Sequence, residues 1–221
     1  MNYSNVTEIN LSENGLIELP DLTMYVNLVK LTCICNNLTE LNNLPPNIQV
    51  LDCRYNKITH LDNLPLNLQE LYCAYNKINQ LDNLPQNLQK LYCDANKFTQ
   101  LDNLPQELRI LHCNYNQITR LDNLPPNLRI LSCGTNKITD LNYLQPKLKR
   151  LNCSWNKISE LEHLPKNLYE LECIYNDIKE FKNLPPKLGK LYCNNNPLIY
   201  DFDPTIENIR KYNNFSRLKI K

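Results

Sequence analysis

The chain has 221 residues, of which 42% are apolar and 21% charged, and its formal net charge is +1. Near-neutrality leaves no global field to attract nucleic acid or an anionic membrane. With three glycines in all, it has neither a GxGxxG fingerprint nor a P-loop to cradle phosphate.

The first residues, MNYSNVTEINLSENG, lack a basic start followed by an apolar run. No later stretch approaches the roughly 20 apolar residues of a spanning helix, so the expectation is a soluble protein not exported by a cleaved signal. Val6, Ile9, Leu11, Asn14 and Leu16 form a diverged first copy of a phrase that returns 22 residues later and then, without insertion, every 20 residues from Leu31 to Lys190. The phrase reads L-x-C-x-x-N-x-(I/L)-x-x-L-x-N-L-P-x-N-L-x-x, with exceptions such as Phe98, Phe181 and Gln145. Around Cys73, Leu71 in, Tyr72 out, Cys73 in and Ala74 out has the period of a half-buried strand. Such a strand cannot bury its apolar face alone, so the units must stack into a parallel sheet. Asn76 and its equivalents from Asn36 to Asn196 stand where the chain must turn, and their amides can satisfy buried backbone there. The return segment, LDNLPQNL in one unit, is too short and too rich in proline for a helix. It is predicted to run extended or polyproline-like, with Leu81, Leu84 and Leu88 inward. At the far end, Asp203 before Pro204 reads as an N-cap, and Ile206, Ile209 and Tyr212 recur at helical spacing.

Regrouped, each unit contains L-x-x-L-x-C-x-x-N-x-L, as in Leu68 to Ile78. This resembles the conserved segment of the leucine-rich repeat superfamily over about residues 6 to 198. The short remainder is similar to the twenty-residue repeats of bacterial leucine-rich repeat effectors and of repeat proteins from large amoebal DNA viruses. It departs from the bacterial form, in which a proline usually follows the earlier leucine as well. The expected fold is a right-handed, gently curved repeat solenoid, with a parallel β-sheet on the concave face, an extended convex side and a short C-terminal capping helix. Residues 1–198 are assigned to the solenoid, with the first of about ten repeats at 6–27, and residues 199–221 to the cap. Some similar effectors carry a ubiquitin-ligase domain after the repeats; the segment here has no cysteine, so that activity is not carried over.

The cysteine column admits several chemistries. Strand spacing of about 4.8 Å exceeds the Cβ separation of about 3.8 Å that a disulfide needs, so regular bridging would strain every strand pair. Parallel side chains do not converge tetrahedrally on a metal, and no CxxC pair exists, so no metal or cofactor is expected. Buried thiols are poor nucleophiles. Leu11 takes the cysteine's place in the first repeat, which marks a packing position. Cys35 alone is predicted to face solvent. Free thiols in quantity point to an intracellular, reducing compartment, cytoplasmic in its own cell or a host's.

With the core assigned, the remaining strand residues face outward. Tyr55, Tyr75, Tyr115, Trp155 and Tyr175 precede the turn asparagines, and Tyr72 and Tyr92 lie between the inward residues. Tyr and Trp offer large contact area at low rotamer cost, which favours a protein-binding surface over a tyrosine merely copied by repeat expansion. Arg109, Arg129, Lys149 and Arg150 flank it, but Glu70, Asp94, Glu170 and Glu172 interleave, so the flank reads as a mixed, solvated surface rather than a nucleic-acid site. Ser132, His112 and Asp94 could be aligned as nucleophile, base and orienter, yet an open sheet excludes no water and offers no oxyanion hole. The expected function is therefore non-catalytic binding of a protein partner through the concave face. The alternative is a structural protein that self-associates, as a homodimer, through its underprotected N-terminal edge.

Overall fold

Each repeat alternates inward and outward for only a few residues before the chain must turn, so its strands are short. The computed structural model describes residues 3–218, and side chains through residue 214. A 3-10 turn at Tyr3–Asn5 precedes strands β1 (Glu8–Asn10), β2 (Lys30–Thr32), β3 (Val50–Asp52), β4 (Glu70–Tyr72) and β5 (Lys90–Tyr92). Strands β6 (Ile110–His112), β7 (Ile130–Ser132), β8 (Arg150–Asn152), β9 (Glu170–Glu172) and β10 (Lys190–Tyr192) follow, and helix α1 (Ile206–Leu218) comes last. Sequence order is spatial order: one ten-stranded sheet runs β1 to β10 with every neighbour parallel. Register is set by the repeat, so Leu71 pairs with Leu91, and at the diverged first unit Ile9 pairs with Leu31. This is the solenoid that the sequence predicts. No helix among the described residues is long and apolar enough to cross a membrane.

One continuous core fills the solenoid. Leu71, Cys73, Ile78, Leu81, Leu84 and Leu88 of one repeat are all buried, and so are their equivalents in the neighbouring units. The turn asparagines hold the layers together. Asn96 donates from Nδ2 to the carbonyls of Cys73 (3.0 Å) and Cys93 (3.1 Å), and its Oδ1 accepts the Ile78 N–H at 3.0 Å. Every such amide thus joins its own repeat to the preceding one. Asn36 bonds the Leu11 carbonyl (2.8 Å) where its relatives bond a cysteine carbonyl, so Leu11 occupies the cysteine site of the first repeat.

The return segments contain no helix, but turns rather than a continuous polyproline path shape them. Asn43, Asn63, Asn83, Asn103 and Asn123 adopt φ between 55° and 60°, and the Leu68 N–H closes a turn onto the Pro65 carbonyl at 3.0 Å. Asparagine tolerates that left-handed conformation at low cost. A second amide ladder runs along these loops, with Asn47 Nδ2 donating to the Val26 carbonyl at 2.9 Å and Asn87 to that of Leu66 at 3.1 Å. Gln145 accepts the Leu148 N–H as the prolines do, so the exception leaves the turn intact.

Helix α1 lies over the last repeat, with Ile209 fully buried and Arg210 donating to the Pro185 carbonyl at 2.9 Å. Its cap differs from the sequence expectation. Thr205 Oγ1, not Asp203, accepts the Asn208 N–H (3.2 Å), and the helix begins after Pro204 rather than at it. Asp203 accepts the Thr205 N–H through its own carbonyl, shaping the approach instead. The opposite edge, β1, is preceded only by the 3-10 turn among the described residues.

All ten cysteines are free thiols, nine buried and Cys35 exposed. Most inner thiols point along the stack: Cys93 Sγ donates to the His112 carbonyl at 3.3 Å, and Cys193, which has no next strand, is 3.9 Å from that of Pro204 in the cap. Burial pushes the Cys33 thiol up to about 12 and that of Cys193 to about 11, and raises Cys53 and Cys93 well above the ordinary value of 9.0. A thiol raised on folding contributes stability that is complete below the ordinary thiol value and is lost as pH rises through the folded one. We therefore expect native titration with an aromatic disulfide reagent near neutral pH to find Cys35 fast and the other nine slow, and the fold to weaken above about pH 9. Several fast thiols would contradict the inward assignment.

Candidate functional site

In-register pairing sets equivalent side chains side by side, so the solvent face of the sheet is a set of columns crossing the strands. The column at the strand exit holds Cys35, Tyr55, Tyr75, Ala95, Tyr115, Thr135, Trp155, Tyr175 and Asn195. All nine have left-handed backbone, φ between 51° and 59°. That conformation lets the N–H stay in the ladder (Tyr75 to the Asp94 carbonyl, 2.9 Å) while the chain turns to bring the next asparagine beneath the sheet. For residues with a Cβ it costs about 1 kcal/mol or more. The aromatic side chains project into solvent: Tyr55 is 48% exposed, Tyr75 47%, Tyr115 61%, Trp155 54% and Tyr175 43%.

They form two stacks and a single ring rather than a continuous stripe. Tyr55 and Tyr75 stack at 4.3 Å with planes 8° apart, and Trp155 and Tyr175 at 3.8 Å and 21°. Tyr115 stands alone between Ala95 and Thr135, which leave gaps on either side of it. Tyr55 beside it raises the Tyr75 phenol above its ordinary value.

Tyr72 and Tyr92 belong to a different column, at the last strand position. They stack on each other at 4.7 Å, and Tyr92 continues onto His112 at 4.6 Å. The Tyr72 hydroxyl donates to Glu70 at 2.7 Å, and Lys90 binds the same carboxylate at 2.7 Å. The Lys90 bond first, then the Tyr72 bond against the opposing pull of burial, holds the Glu70 carboxyl below its usual range. Burial first and Glu70 second push the Tyr72 phenol up. These two tyrosines are therefore half-buried and tied down, unlike the five at the strand exit.

Towards the C-terminal half, positions at and just past the strand ends form a polar network. Asp94 accepts from the Asn114 backbone (2.8 Å) and amide (2.6 Å), and Asn114 Oδ1 accepts from Ser132 Oγ (2.9 Å) and the Gly134 N–H (2.7 Å). Gly134 permits this closeness, since a Cβ there would sit 3.2 Å from Asn114 Oδ1. Ser132 and Asp94 thus both bond Asn114, while His112 stacks on Tyr92, with burial lowering its pKa. The three residues weighed as a nucleophile set are wired elsewhere.

The arginine flank also divides. Arg150 lies on β8 and pairs with Glu170 at 3.4 Å. Arg109 and Arg129 sit one residue before their strands, in a start column with Lys149 and Tyr169. Glu70 and Glu170 open their strands, Glu172 closes β9 and Asp94 lies two residues past β5; Glu170 meets Arg150, whereas among the described residues Arg109, Arg129 and Lys149 pair with none of them. Lys147, Tyr169 and Lys187, which the sequence reading did not single out, complete the basic region.

Comparison with known proteins agrees with this geometry. Residues 106–145 match the family model for leucine-rich repeats (two copies). Among solved structures, YopM from Yersinia enterocolitica WA-314 superposes with a TM-score of 0.82 at 32% identity, covering 90% of this chain and 45% of that one. The functional domain of InlJ from Listeria monocytogenes, which includes a cysteine ladder, gives 0.78 at 33% identity over 90% of this chain and 46% of that one. YopM, a leucine-rich effector protein from Yersinia pestis, gives 0.78 at 32% identity over 92% of this chain and 65% of that one. The chain therefore spans about half the length of the first two. No curated protein sequence matches it.

Proposed function

We propose that this chain, which belongs to the leucine-rich repeat superfamily and carries repeats like those of bacterial effectors, is a non-catalytic module that binds a protein partner through the solvent face of its sheet. The leucine-rich repeat fold is typically a protein–protein interaction module, and the finer assignment to one face rests on a single observation. The chain places asparagine at its left-handed loop positions, Asn43 to Asn123, yet Tyr or Trp at five of the nine left-handed positions at the strand exit. Large exposed rings in a conformation that suits asparagine or glycine contribute little to the fold, and suit a contact surface. Tyr55, Tyr75, Tyr115, Trp155 and Tyr175 are the proposed anchors. Tyr72 and Tyr92 supply a firm floor beside them, and Arg109, Arg129 and Arg150 border it. Nine buried free thiols support a reducing, intracellular setting.

Capture from lysate by the immobilised chain tests this. A Tyr75→Ala, Tyr115→Ala, Trp155→Ala variant is expected to lose the partners that the parent recovers. Equal recovery of every partner by both would remove the aromatic column from the account.

A further inference from the structure

The start column carries a second surface, at the opposite end of the strands from the aromatic column. Arg129, Lys147, Lys149 and Lys187 line one groove of about 560 Å³ with Asn167 and Tyr169, and no carboxylate lines it. Five cations on or beside the strands, Lys30, Arg54, Lys90, Arg150 and Lys190, each lie within 3.6 Å of a carboxylate. Among the described residues none of the four groove cations has a carboxylate within 4.0 Å.

Two of the four are also held in place. The Lys147 ammonium donates to Asn127 Oδ1 at 2.6 Å and that of Lys187 to Asn167 Oδ1 at 2.8 Å. The Tyr169 ring lies across the next repeat, where Gly189 makes room; a Cβ there would come within 2.7 Å of the ring. Like charges on adjacent strands, about 4.8 Å apart, repel, so the free groove is unfavourable until an anion enters.

We infer that this groove binds a phosphoryl group on the protein partner, seated between Arg129 and Lys149 with Lys147 and Lys187 completing its charge. The inference rests on the protein-binding reading above. A phosphoryl dianion concentrates about −1.5 to −2 charges and three acceptor oxygens at one point, which suits cations converging on one groove better than single carboxylates do. A nucleic-acid track would need cations continuing along the sheet. Instead the column is neutral before Arg109, at Gln49, Gln69 and Gln89, and neutral after Lys149, at Tyr169 and Gly189. At about 3.3 Å per residue, the six residues from Lys149 to Trp155 separate groove and aromatic column by roughly 20 Å. One partner domain can span both.

The probes are a phosphoserine peptide, the same peptide with serine or glutamate, inorganic pyrophosphate and a single-stranded oligonucleotide, titrated into the whole chain at about 0.05 M salt. The phosphopeptide is expected to bind about tenfold or more tightly than the serine and glutamate forms, with pyrophosphate competing. Arg129→Gln with Lys149→Gln should weaken it about tenfold or more, whereas Lys57→Gln with Lys77→Gln should leave it within about twofold. Equal binding of serine or glutamate peptide, tighter binding of the oligonucleotide, or equal loss in both variants would overturn the inference. Two results separate it from the reading it rests on. Partner capture that depends on the aromatic column, without phosphopeptide binding, defeats the groove alone. Phosphopeptide binding with capture indifferent to the aromatic column defeats that column alone.

Discussion

Asn116→Ala is expected to lower the free energy of unfolding by about 2–4 kcal/mol. Asn116 is 8% exposed, and its amide donates to the carbonyls of Cys93 (3.2 Å), Cys113 (3.1 Å) and Asn114 (3.1 Å) while its Oδ1 accepts the Phe98 N–H at 3.1 Å. Alanine leaves the buried Phe98 N–H without a partner, at about 1–3 kcal/mol, and removes one of two donors from each carbonyl, since Asn96 still bonds that of Cys93, Asn136 that of Cys113 and the Ala95 N–H that of Asn114. Asn116→Asp should be no better, because a carboxylate keeps the acceptor but turns a charge toward carbonyl oxygens. The damage is not confined to one residue. Each repeat contacts only its neighbours, so a lesion between the fifth and sixth strands weakens the interface that couples the two halves. Urea unfolding should show an earlier midpoint and a broader transition. A loss below about 1 kcal/mol would mean that the ladder is ornamental to stability.

Exchanging Tyr75, Tyr115 and Trp155 together for asparagine should act in the opposite sense on stability and on binding. Their φ values of 56°, 55° and 59° suit asparagine, which the chain already uses at Asn195 in the same column. Relief of left-handed strain, about 1 kcal/mol per residue, works against the loss of stacking for Tyr75 and Trp155, about 0.5–1.5 kcal/mol per pair. Tyr115 stacks on neither column neighbour, so its exchange is pure relief. The sum is unfolding free energy unchanged or slightly raised. For the partner, three truncated anchors should cost roughly a hundredfold in affinity or more.

The sequence period carried most of the fold because a parallel solenoid converts sequence spacing directly into position. Twenty residues between Leu71 and Leu91 become one strand step, and the inward leucines, the thiols and the turn asparagines follow. Other features depend on quantities that spacing does not encode. The sign of φ at Tyr75 is dictated by the need to carry Asn76 beneath the sheet, and alternation alone placed that tyrosine on the same footing as Tyr72. The separation of Arg109 and Arg129 from the acids depends on a one-residue offset from the strand, which a linear reading merges into one mixed face. Thr205 displaced Asp203 as the cap because its hydroxyl reaches the Asn208 N–H; both residues are good caps, and only the path of the chain selects one. A signal for the second asparagine ladder was present in the asparagine that recurs at Asn27, Asn47, Asn67, Asn87, Asn127 and Asn167, but its partners are carbonyls one repeat away.

The most direct test of the account is calorimetric titration of a captured partner into the parent and into the Tyr75→Asn, Tyr115→Asn, Trp155→Asn variant, alongside urea unfolding of both. Affinity should fall about a hundredfold or more with stability equal or higher. Unchanged affinity would contradict a binding role for the column, and a fall in stability that accounts for the lost affinity would make the aromatic rings part of the fold instead.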